Sequence, residues 1–110
     1  MKYFMADEIS PADIDRIDEF LGRTALTSDM LRLYWVEIPC NLLNKDQARH
    51  TECHPYIFSV ETGTDWVRAE LFLRTLANFQ GKHQTYATDI QRTYISDFME
   101  NMLTCLEIQT

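Results

Sequence analysis

Residues 56–75 decide the fold: Tyr56-Ile57-Phe58-Ser59-Val60-Glu61, then Thr62-Gly63-Thr64-Asp65, then Trp66-Val67-Arg68-Ala69-Glu70-Leu71-Phe72-Leu73-Arg74-Thr75. Successive side chains of a strand point to opposite faces, and a short polar linker with a glycine between two such runs marks a hairpin. Pairing Glu61 with Trp66 sets Val60 opposite Val67, Phe58 opposite Ala69 and Tyr56 opposite Leu71. All six residues after the first pair are apolar or small. A slip of one residue would carry Arg68 and Glu70 into the core. The inward face of the second strand is therefore Val67, Ala69, Leu71 and Leu73. Trp66, Arg68, Glu70, Phe72 and Arg74 face outward, joined by Ile57 and by Tyr34 and Arg32 of a neighbouring strand.

That neighbour spans 30–38, apolar on both faces toward its end, with Leu31, Leu33 and Trp35 on one side and Arg32, Tyr34, Val36 and Ile38 on the other. Pro39 ends it. Upstream, Ser10-Pro11-Ala12-Asp13 combines an N-cap, a first-turn proline and an acid at the positive end of the dipole. Ile14, Ile17, Phe20 and Leu21 follow at helical spacing. A helix is predicted over 11–22, stopping at Gly22. Asn44-Lys45-Asp46-Gln47 and Thr88-Asp89-Ile90-Gln91 are capping signatures. They open a short helix over 45–52 and a long one over 89–107. A fourth strand is expected over 82–86. The expected fold is α+β, one domain over 1–110. It has two layers: a four-stranded, mainly antiparallel sheet with the N- and C-terminal helices on one face.

The chain carries a net charge of −7. Residues 1–30 hold seven acids against three bases, residues 88–110 four against one, and the middle is balanced. Binding to a phosphate backbone needs a basic surface, so nucleic acid is not an expected partner. No apolar run approaches the ~18 residues of a membrane span. Met1–Met5 is too short for the apolar region of a signal peptide, and a cytoplasmic location is expected. Three cysteines, Cys40, Cys53 and Cys105, form no CxxC motif and fit reduced thiols.

Cys40, His50, Cys53 and His54 are of types that bind zinc, but their spacing lacks the paired gaps of such sites, and no metal or other cofactor is expected. No nucleophile elbow, phosphate loop or HExxH stands in the chain. Asp15, Asp18 and Glu19 read as the solvated face of the first helix. The outward sheet face draws attention because interleaved aromatics and arginines are the residues that dominate binding hot spots. Trp66, Arg68, Phe72 and Arg74 are its candidate binding residues.

The last helix has an apolar arc wider than packing on one surface requires. Ile95, Met99 and Leu103 are therefore candidates for a homodimer interface, unless the first helix covers them. The residues identify no family; acidic domains of similar size with helix–sheet–helix order include secretion chaperones, an analogy at the level of fold alone. The connection from Thr75 to Lys82 is too short for the extra helix they place between strands. The expected function is a non-catalytic module that binds a protein or peptide, adaptor-like or chaperone-like. The alternative is a small-molecule or metal-binding domain, or a small enzyme, using the region Cys40 to His54.

Overall fold

A computed structural model describes residues 2–49, 55–75 and 84–109. At its centre is the expected hairpin, β4 (Tyr56–Thr62) and β5 (Val67–Glu70). The loop is displaced by one residue, to 63–66, and closes through the Gly63 N–H, which donates to the Trp66 carbonyl at 2.8 Å. Val60 therefore faces Ala69 and Thr62 faces Val67, a shift of two from the expected pairing. An even shift leaves every side chain on its expected face. Val67 and Ala69 are fully buried, while Arg68 lies half-exposed on the other side.

The expected strand 66–75 is split at Leu71 into β5 and β6 (Phe72–Thr75). Tyr56 pairs with Thr75 and Ile57 with Arg74. Between the Val60–Ala69 and Ile57–Arg74 pairs, two residues of β4 face four of the partner, a bulge of two residues. Parity survives it: Leu73 and Thr75 are buried and Phe72 and Arg74 half-exposed. Leu71 is only partly buried, and its backbone joins the edge, its N–H donating to the Lys2 carbonyl and its carbonyl accepting from the Ala87 N–H.

Further strands make the sheet larger than four. β1 (Tyr3–Ala6) pairs with β5, and β7 (Thr85–Tyr86) pairs with β6 on the same edge. On the other side β3 (Leu33–Glu37) pairs with β4 and carries the two-residue β2 (Leu26–Thr27). Among the described residues the sheet has seven strands in the order β1-β5-β4-β3-β2, with β6 on β4 and β7 on β6, all antiparallel. β1, β2 and β7 are too short to show a periodic signal of their own. Residues 82 and 83 of the expected fourth strand lie outside the described residues.

Helix α1 (Pro11–Thr24) starts as expected, with Ser10 Oγ accepting from the Asp13 N–H at 3.2 Å. It runs past Gly22 to an extended Ala25, because Gly22 keeps helical geometry in open space and signals no turn. Helix α2 (Lys45–Arg49) and helix α3 (Asp89–Cys105) both open on reciprocal capping boxes. The two boxes meet: Gln91 Nε2 donates to Gln47 Oε1 at 2.8 Å and to the Leu42 carbonyl at 3.0 Å, both glutamines being buried. α3 stops before the expected residue 107. Glu107 adopts φ 57°, and the Ile108 N–H reaches back to the Leu103 carbonyl at 2.9 Å. This is a Schellman-type ending without the usual glycine.

One core cluster unites Ile14, Ile17 and Leu21 of α1 with Ile95, Met99, Met102 and Leu103 of α3. It takes strand residues of one parity only: Tyr56, Phe58, Val60, Val67, Ala69, Leu73 and Val36. Ile95, Met99 and Leu103, expected as a dimer surface, are 0, 0 and 6 % exposed. The chain covers them itself, so they are not available to a second copy.

Candidate functional site

The face of the sheet opposite that cluster holds an open groove of about 280 Å³. Its lining comes from neighbouring strands: Tyr3 of β1, Arg68 and Glu70 of β5, Ser59 and Glu61 of β4, Leu33 and Trp35 of β3, and Arg74 of β6. The register explains why they converge. Glu61 lies directly across from both Leu33 and Arg68, Trp35 lies across from Ser59, and Tyr3 across from Glu70.

Two ion pairs order the groove. Arg68 Nη2 and Nε lie 2.8 and 3.0 Å from Glu61 Oε1. Arg74 grips Glu70 through both oxygens, Nε to Oε1 at 3.0 Å and Nη2 to Oε2 at 3.2 Å. The Glu70 side chain is only 8 % exposed. A carboxylate so placed depends on its cation, and removing one partner of a buried pair typically costs about 3–5 kcal/mol. The guanidinium groups also lie on rings. Arg68 sits 4.5 Å from the centre of Tyr3 and 5.1 Å from that of Trp66, and Arg74 4.9 Å from that of Phe72. Such stacks hold the cations in place. Trp66 is itself seated on Gly63, where a Cβ would stand 2.1 Å from the indole.

Of the four expected binding residues, Arg68 and Arg74 line the groove, whereas Trp66 and Phe72 flank it as supports for the guanidinium groups. The expectation for β3 is corrected. Tyr34 and Arg32 do not lie on this face. Tyr34 Oη donates to Asp18 Oδ1 at 2.9 Å, and Arg32 Nε lies 3.9 Å from Asp18 Oδ2. Leu33 and Trp35 take the outward positions instead. A strand apolar on both sides leaves its orientation open until a partner sets the register. Ile57 is also corrected: it has outward parity but is fully buried. Tyr3 carried no signal, since its strand is four residues long.

Asp18 departs from the expected solvated face of α1. Its Oδ1 accepts from Tyr34 and from Thr62 Oγ1 at 2.7 Å, tying the helix to the sheet. Burial, followed by the hydrogen bond and charge of Asp18, raises the Tyr34 phenol to about 12.

Ser59 Oγ lies 3.5 Å from Glu70 Oε1, and both oxygens of Glu70 are held by Arg74. The groove's two acids and two bases are paired, so it presents no net charge. Cys40 is exposed on a 3₁₀ turn, Cys40–Leu42, and His50, Cys53 and His54 lie outside the described residues. Among the described residues no group of three or more His, Cys, Asp or Glu side chains could hold a metal ion. Among them, too, no helix is long and apolar enough to cross a membrane. No protein-family model, curated protein or solved structure matches the chain.

Proposed function

We propose that the protein is a non-catalytic, cytoplasmic interaction module that binds a peptide or an exposed segment of another protein. In this reading the helices form one layer over the sheet and leave the far face to the partner. The observation that carries it is the groove on that face, where Arg68 and Arg74 are stacked on aromatic rings and charge-paired with Glu61 and Glu70. Rigid aromatic and arginine side chains on an ordered scaffold bind at low entropic cost. Paired charges favour a partner recognised by shape and stacking over a highly charged one.

The chain has two tryptophans, and both belong to this face, Trp35 in the groove and Trp66 at its margin. Their emission therefore reports occupancy. Peptides selected from a displayed random library should shift it on binding. Tyr3→Ala with Arg68→Ala should weaken them about tenfold or more, the loss of a hot spot, with the melting temperature little changed. Arg74→Ala is the wrong probe, because it strands Glu70. If selected peptides bind the double variant as tightly as the parent, the groove is not the binding site.

A further inference from the structure

Among the described residues the sheet order β1-β5-β4-β3-β2 leaves an edge at each end. β2 offers two residues there and β1 four. On its inner side β1 is fully engaged. The Lys2 carbonyl accepts from the Leu71 N–H, and in an antiparallel ladder such bonded pairs fall on every second residue. Phe4 and Ala6 therefore exchange bonds with Ala69 and Val67. Met5, opposite Arg68, turns its N–H and C=O away from β5 toward the open edge. A groove of about 440 Å³ runs along that edge. Four successive residues, Phe4 to Asp7, line one wall, and Glu100, Leu103 and Ile108, at and just after the end of α3, line the other. The charge in it is of one sign. Asp7 and Glu100 are exposed, and neither forms an ion pair with any described residue. No base stands in the last turn of α3. Arg16 of α1 reaches the Leu106 carbonyl, but it does not line the groove and is paired with Asp13.

We infer that the β1 edge takes up an extended, basic segment of a partner protein as an added strand. Strand addition is a recurring mode of recognition, in which main-chain bonds give affinity and alternate side chains give specificity. Met5 supplies the main-chain donor and acceptor. Inward side chains of the added strand would meet Phe4, Leu103 and Ile108, and a lysine or arginine would reach Asp7 or Glu100. Two acids without a basic counterpart set the sign of the occupant. An acidic segment is repelled, and a second copy would bring its own Asp7 and Glu100 to the same seam. The outward groove presents no net charge, so the two surfaces select different segments, and this inference does not depend on that groove.

The probe is a fluorescein-labelled peptide of about eight residues that alternates valine and lysine, read by anisotropy. It should bind at low salt and weaken as salt screens the acids, and a valine–glutamate counterpart should not bind. Two further versions carry N-methyl groups on alternate residues, one on each edge of the extended peptide. Only one edge bonds to β1, so one version should lose binding about tenfold or more and the other retain it. Asp7→Asn with Glu100→Gln should weaken the parent peptide about tenfold. Met5→Pro should abolish binding while the domain stays folded, because the N–H it removes points away from β5 and proline is tolerated on such an edge. If Met5→Pro proves unfolded, the two methylated peptides decide the matter. Indistinguishable affinities of those two, equal binding of the glutamate peptide, or full binding to folded Met5→Pro overturns the inference. So does a dimer in sedimentation that Met5→Pro dissociates, which would make the occupant a second copy.

Discussion

Replacing Leu73 and Leu71 by alanine, one at a time, tests the two-residue bulge between β5 and β6. Both leucines have inward parity, and in a regular hairpin both would be core residues of equal standing. The bulge separates them. Leu73 is fully buried in the cluster that joins both helices, while Leu71 sits at the break and is partly exposed. Truncating a fully buried leucine removes its transfer free energy and leaves a cavity, which together cost about 3–4 kcal/mol at a site that cannot collapse. A partly exposed leucine loses less apolar burial and leaves a space that water can enter, so Leu71→Ala should cost about 1 kcal/mol. For 110 residues the unfolding entropy is about 0.2 kcal/mol/K, so the expected melting shifts are about 15 °C for Leu73→Ala and about 4 °C for Leu71→Ala. Circular dichroism melts and urea titrations, fitted with a common m-value, measure both. Equal losses would mean that Leu71 is buried opposite Phe58, where the β4–β5 register would carry it without a break, and that the bulge is wrong.

Ultraviolet titration should find Tyr34 ionising late, near pH 12, and Asp18→Asn should bring it back toward 10. Because the folded state raises this pKa, the stabilisation is intact below about pH 10 and is lost as pH rises toward 12. Asp18→Ala should cost about 2 kcal/mol, since two hydroxyls lose a charged acceptor, whereas Asp15→Ala on the exposed face should stay within about 0.5 kcal/mol. Denaturation that finds the two alike would remove Asp18 as a tether. Gly63→Ala should push the Trp66 ring away from Arg68 and red-shift its emission while the domain stays folded. An unchanged spectrum would show that Trp66 does not rest on that glycine.

Local chemistry was legible in the sequence wherever one residue acts on its near neighbours. Ser10 and Pro11, Asn44 with Gln47, and Thr88 with Gln91 announce helix starts because a cap bonds within a single turn. The faces of β4 and β5 were legible because alternation survives any even shift of register. The number of strands was not, since β1, β2 and β7 have four residues or fewer, and β1 forms only on an edge built by residues more than sixty positions away. The groove was half legible. Arg68 and Arg74 follow from hairpin parity, but Trp35 needs the pairing of β3 with β4, and Tyr3 needs an edge contact across more than sixty residues. The fate of Ile95, Met99 and Leu103 was likewise a tertiary decision. A wide apolar arc states that something must cover it, and only packing reveals that the chain's own sheet and helices do so. Sequence reports what each segment must hide; which surface hides it depends on contacts between segments far apart in the chain.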